Sequence, residues 1–395
     1  MMATVDNERV VTPLNERILA SLREVLGEGK HPLHEPSFSG EELLYLKECI
    51  ASTYVSSVGP FVDRLERELA EYTGSRRAVA VVNGTSALQV ALKLAGVRRG
   101  DEVLMPALTF VGTANAATYL GATPHFADSS PTTLGLDPEA LEDWLKHVVE
   151  MTPHGARNRF TGSRIGAVVP MHTFGHPCEI ERLIILANDY RLELVEDAAE
   201  SLGSYVGDRH TGTFGCCGIL SFNGNKVITT GGGGAILTNN NALGDYAKHL
   251  TSTAKVGHRW DFVHDEVGYN FRMPNINAAL GCAQLDILPE LLESKRALTE
   301  LYSKAFASIE EVTLMREPSG CKSNYWLQAL ILDDTVADQR DSVLEATNNS
   351  GFSTRPVWRP IHKLSPYENC PRAPLPVVES LASRIINLPS SSNLT

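Results

Sequence analysis

No run in this 395-residue sequence approaches the roughly 18 consecutive apolar residues that a membrane-spanning helix needs. The opening stretch MMATVDNERV carries no apolar core of the kind a secretion signal requires. Neither a membrane span nor a secretion signal is expected. Cysteine is sparse. There are seven, an odd number, without a metal-ligand spacing, and the adjacent Cys216 and Cys217 cannot make a C-x-x-C pair. The pattern predicts reduced thiols in a cytoplasmic protein and no metal site. Positive charge is not clustered either, and the formal net charge is −12. That balance argues against a nucleic-acid partner, which would want a basic face. It does not bar an anionic substrate, because a local site can be positive. Repeats and low-complexity tracts are absent.

What is present is 43% hydrophobic residues, enough for one large domain and a smaller one. Leu14, Ile18, Leu22 and Val25 recur at helical intervals, which predicts an amphipathic helix over 14–26. Residues 1–30 are therefore read as an N-terminal helical extension. Ser39 with Glu42 three residues later signals the start of a helix, and VDRLERELAEYTG a second one ended by Gly74. From about residue 78, apolar runs alternate with helical patterns. AVAVVN, DEVLMPA, TPHFAD, RIGAVVPMH and LELVEDAA read as strands. SALQVALKLAG, TANAATYLG and CEIERLIILANDYR read as the helices among them. The alternation predicts an α/β fold, a mostly parallel sheet with helices on both faces. A long helical stretch over 277–306 leads into a strand, SNYWLQALILDD, and a helix ended by Gly351. We read 31–284 as the large domain and 285–395 as a smaller C-terminal one.

In such a sheet, ligands bind at the carboxyl ends of the strands. Gly84, Thr85 and Ser86 fall there, at the start of a helix. Free N–H groups, the helix dipole and two hydroxyls suit a phosphate, although Ser and Thr also cap helices with no ligand. Asp197 ends an apolar strand and wants a cationic partner, or else caps the next turn. Phe110 can stack on a flat ring, or belong to the core. In ILSFNGNKVITTGGGGAILTNN, Lys226 sits between an apolar strand and four glycines. It is either a solvated hairpin lysine or a pocket lysine that forms a Schiff base. Taken together and in order, these residues anchor a phosphate, sandwich a ring, protonate its nitrogen and bond its aldehyde. That is the set a pyridoxal 5'-phosphate enzyme needs.

The same stretches carry a family resemblance. SSVGPFVDRLE, NGTSAL, GDEVLMPALTF, LVEDAAES, SFNGNK, TTGGGG and GYNFRMPNINAALGCAQL resemble motifs of the DegT-type nucleotide-sugar aminotransferases. PLHEPSF, STYVSSVG, PMHTFGHP and TSTAKVGHRWDFVHDE are most similar to the enzymes of the legionaminic acid and bacillosamine-type pathways. The resemblance runs over most of the chain and implies the type I, aspartate aminotransferase-like fold. It implies Lys226 as the Schiff-base lysine and Asp197 as the partner of the pyridine nitrogen. It gives Glu200 to the ring hydroxyl, Phe110 to ring stacking, and Thr85, Ser86 and Ser221 to the phosphate. Asn270, in GYNFRM, would reach the phosphate of the other subunit in a homodimer with shared sites. The implied substrates are L-glutamate and a nucleotide-linked 4-keto-6-deoxy sugar, faced by His172, Arg259, Arg355 and His362. Relatives that act as dehydratases replace the lysine with histidine, and the lysine here speaks against that reaction. A non-catalytic regulator is the other alternative, but no helix-turn-helix or basic patch supports it. Two departures stand out. Gly233 lies where many members have glutamate, and the end at Thr395 implies a shortened C-terminus.

Overall fold

The computed structural model describes residues 12–394. Seven strands build its main sheet: β1 (Arg77–Val81), β2 (Glu102–Pro106), β3 (Thr123–Ala127), β4 (Ile165–Val168), β5 (Glu193–Asp197), β6 (Cys217–Ser221) and β7 (Gly234–Thr238). Their order is β1-β7-β6-β5-β4-β2-β3. β6, β5, β4, β2 and β3 pair in parallel, and β7 runs antiparallel to both neighbours. The fold is thus α/β with a mostly parallel sheet, as the alternating pattern predicts.

The strands are apolar on both faces because both are covered. Leu104, Val168 and Leu194 point to one side, against Leu141, Leu145, Leu183 and Leu186 of two helices. Their sequence neighbours Val103, Met105, Ala167 and Val195 point to the other, against Ala87, Leu88 and Ala91 of the helix Gly84–Leu94. This is the two-residue alternation of a strand read twice.

A second sheet is antiparallel: β8 (Val312–Leu314), β9 (Gln328–Leu332), β10 (Arg355–Pro356) and β11 (Ile385–Leu388), in the order β8-β9-β11-β10. The helix Leu14–Leu26 packs here. Leu14, Ile18 and Leu22 are buried against Leu298, Tyr302, Phe306, Leu330 and Ile386. Each such side chain contributes about 1.5–3 kcal/mol on burial. The helical stretch over 277–306 is two helices, Asn275–Asp286 and Leu288–Phe306. Pro289 falls in the first turn of the second. Proline is tolerated there, but in a helix interior its ring clashes with the preceding turn, so the chain restarts.

The ends of β1, β5 and β6 are brought side by side by register. Ile219 pairs with Asp197, and Gly234 of β7 pairs with both Ser221 and Val81. A Cβ on Gly234 would lie 2.7 Å from the Asn83 carbonyl carbon and 2.8 Å from the Gly84 nitrogen. Only glycine lets the turn after β1 cross this closely.

Candidate active site

The turns at those strand ends enclose a cavity of about 350 Å³, lined among others by Gly84, Thr85, Phe110, Asp197, Glu200, Ser221 and Lys226. Seven residues singled out from sequence therefore share one site. Lys226 lies on the long loop between β6 and β7, yet its side chain is only 13% exposed. Its Nζ sits 3.1 Å from Glu200 Oε1 and 3.7 Å from the ring centroid of Trp326. This is a pocket lysine, not the tip of a solvated hairpin.

Asp197 closes β5 and is buried. Thr113 donates to its Oδ2 at 2.6 Å, and the Ala199 N–H donates to its Oδ1 at 3.2 Å. Burial raises its carboxyl above the ordinary range, and these two donors and the Lys226 charge oppose the rise. Glu200 accepts from the Phe174 N–H at 3.0 Å, and burial pushes its carboxyl up to about 7 despite Lys226 beside it.

At the other end, the helix Gly84–Leu94 starts on the cavity wall. Asn83 Oδ1 caps it by accepting from the Ser86 N–H at 2.8 Å. Gly84 and Thr85 stay on the lining, and Ser86 stands behind them. Phe110 is half exposed and sits edge-on to Trp358, with ring centroids 6.4 Å apart. A Cβ on Gly112 would come within 2.9 Å of Thr85 Oγ1 and 3.1 Å of the Phe110 ring. Its absence leaves room for both side chains at the cavity.

The candidates for the sugar side do not gather here. His172 is fully buried, with Nε2 3.1 Å from Glu196 Oε2 and Nδ1 accepting from the Cys178 N–H at 3.2 Å. Both ring nitrogens are spent on the fold. Arg259 is exposed, its guanidinium 4.1 Å over the Trp260 ring. Arg355 is exposed and donates to Asn348 Oδ1 at 2.8 Å and the Thr354 carbonyl at 2.7 Å. His362 is nearly buried beside Glu379 at 3.3 Å. None of the four lines the cavity. Asn270 is exposed and lines a separate surface cavity with Val58, Lys255 and Arg272. Sequence reasoning missed Met171, Asn223, Asn225, Trp326 and Trp358, which also line the cavity. A signal existed for two of them, since the chain has only four tryptophans and Trp326 and Trp358 both follow the large domain.

The profile of the DegT/DnrJ/EryC1/StrS aminotransferase family matches residues 36–395. The chain belongs to that family. It is an enzyme of the pyridoxal phosphate-dependent sugar aminotransferase class. GDP-perosamine synthase of Escherichia coli O157:H7 is 35% identical over 364 residues, covering 92% of this chain and 94% of that one. EpsN of Bacillus subtilis strain 168, named as a candidate pyridoxal phosphate-dependent aminotransferase, is 36% identical over 92% of this chain and 91% of its own. Among solved structures, the aminotransferase TlmJ of Streptoalloteichus hindustanus superposes with a TM-score of 0.83 at 28% identity, covering 93% and 95% of the two chains. The donor set of this aminotransferase fits the cofactor. A helix start with hydroxyls, an aromatic ring, a buried acid and a lysine all line the one cavity. Among the described residues, no three His, Cys, Asp or Glu side chains are grouped to hold a metal. No described helix is long and apolar enough to cross a membrane.

Proposed function

We propose that this aminotransferase moves an amino group from L-glutamate to the 4-keto group of a nucleotide-linked 4-keto-6-deoxy-N-acetylhexosamine. The product is a UDP- or GDP-linked 4-amino-4,6-dideoxy-N-acetylglucosamine for a surface glycan. The observation that carries the reading is one cavity in which Lys226, Asp197, Glu200, Phe110, Thr85 and Ser221 converge. A relative named for GDP-perosamine supports a nucleotide sugar as the acceptor.

Pyridoxal phosphate, when bound, supplies an aldehyde that takes an amine and a protonated ring that takes up electrons. The chain supplies the rest. The first N–H groups of the helix Gly84–Leu94 and the hydroxyls of Thr85 and Ser221 hold the phosphate, with Ser86 in support. Phe110 covers the ring, and Asp197 keeps the proton on its nitrogen. Glu200 takes the ring hydroxyl. The free Nζ of Lys226 would take and return the proton that the donor carbon loses. The reading includes a cytoplasmic homodimer in which Asn270 serves the partner's phosphate.

The test is incubation of the holoenzyme with L-glutamate and a panel of UDP- and GDP-linked 4-keto sugars, with products read by mass and NMR. A new amine at carbon 4 is expected, with 2-oxoglutarate released in equal amount, and none from Lys226→Ala. A panel with no aminated sugar overturns the reading.

A further inference from the structure

The contact between Lys226 and Trp326 is built, not incidental. The indole is buried and fixed from three sides. Its Nε1–H donates to the Asn225 carbonyl at 2.6 Å. The Trp326 N–H donates to Asn324 Oδ1 at 2.9 Å, and its carbonyl accepts from the Lys295 ammonium at 3.1 Å. Phe174, itself buried, tilts against the ring with centroids 6.5 Å apart. A ring clamped this way has its face at one fixed place, and that place is 3.7 Å from the Lys226 amine.

We propose that the face of Trp326 is a docking site for the ammonium of Lys226, a further catalytic contact that holds the released amine protonated beside Glu200. The inference rests on the reading of Lys226 as the lysine that bonds the cofactor. Once an amino donor has displaced it, Nζ must take the proton that the donor carbon loses and hold it as an ammonium until it is given up again. A cation over an indole in a desolvated pocket is held more tightly than over any other ring. The other charged groups facing the amine are Glu200 and Asp197, from the end of β5, with His34 and Lys295 lying behind the indole. Burial pushes the Glu200 carboxyl up, which weakens it as a partner for the ammonium, and the indole face adds an attraction from the other side. The ring itself does not titrate, so it attracts the amine wherever the amine is charged.

The experiment measures the titration of the Lys226 amine itself. Full-length protein loaded with pyridoxamine phosphate, in which this amine is free, is pulsed with acetic anhydride between about pH 6 and about pH 11. Acetylation of the Lys226 peptide is read by mass spectrometry. Trp326→Leu should lower the midpoint by about one pH unit, and Trp326→Phe by less. Tryptophans carrying one, two and three fluorines, incorporated into the natural sequence, keep the shape and weaken the ring face. They should lower the midpoint stepwise, and they answer the question even where Trp326→Leu fails to fold. An unchanged or raised midpoint across the fluorinated series overturns the proposal and leaves the indole as a wall. No sugar and no amino donor enters this measurement, so its failure and a failed sugar assay are separate results.

Discussion

At the residue scale, the two oxygens of Asp197 are committed to two donors, the Thr113 hydroxyl and the Ala199 N–H. An asparagine can keep both contacts, its Oδ1 accepting from the Ala199 N–H and its NH₂ donating to the Thr113 hydroxyl, which accepts as well as donates. Asp197→Asn therefore removes the negative charge with the side chain still in place. The expected result is a kcat reduced on the order of a thousandfold, with cofactor still bound through the phosphate end. Near-wild-type kcat in a variant shown to bind the cofactor would remove Asp197 from this role. The position of Asp197 was legible because a carboxylate at the end of an apolar strand is costly without a partner. Lys226 was legible through the apolar residues on either side of it. His172, Arg259, Arg355 and His362 were not. A polar side chain near a strand end points into a cavity or away from it according to packing distant in sequence. His172 shows this, satisfied by Glu196 and Cys178 behind the site.

At the scale of elements, Lys295 on the helix Leu288–Phe306 is fully buried, and among the described residues no carboxylate pairs with it. Its ammonium donates to the Trp326 carbonyl at 3.1 Å and the Ser390 carbonyl at 2.5 Å, and lies 3.0 Å from His34 Nε2. It thus ties three chain segments behind the indole. Burial lowers its pKa to about 7 from the ordinary 10.5. The sign follows from proton counting. Between those values the unfolded chain binds a proton that the native protein does not, so native stability gains as pH rises. Lys295→Met should destabilise the fold by about 2 kcal/mol or more, through carbonyls left without donors. The stability advantage of wild type over the variant should also grow from about pH 7 toward pH 10, by up to about 1.4 kcal/mol per pH unit. Urea midpoints across that range measure it, and a gap independent of pH would mean that Lys295 stays protonated in the native protein over the whole range. No pattern in the sequence marked this lysine, because SKRAL reads as an ordinary exposed helix segment. Strands β1 to β5 were legible because each is an apolar run between turn signals. The break before Pro289 was not, because helical spacing persists on both sides of it.

At the scale of the whole molecule, several large apolar side chains are left exposed. Leu43 is 84% exposed, Val58 68%, Phe262 79% and Val267 83%. Exposed apolar side chains that come together in one patch mark an interface, whereas single ones are ordinary on a free surface. Asn270 shares its cavity with Val58 and is outside the Lys226 cavity of its own chain. A homodimer in which Asn270 reaches across to the partner's phosphate site accounts for both features. Asn270→Asp, at an exposed position, should leave the fold within about 0.5 kcal/mol of wild type. The added charge should repel the phosphate and weaken cofactor binding. Mixing Lys226→Ala chains with Asn270→Asp chains then separates the two arrangements. If sites are shared, each mixed dimer has one site with both defects and one with neither, and equal mixing restores about a quarter of wild-type activity. If Asn270 serves its own chain, every site keeps one defect and two poor parents stay poor. Activity that stays at the parental level after proven subunit exchange would place Asn270 with its own chain.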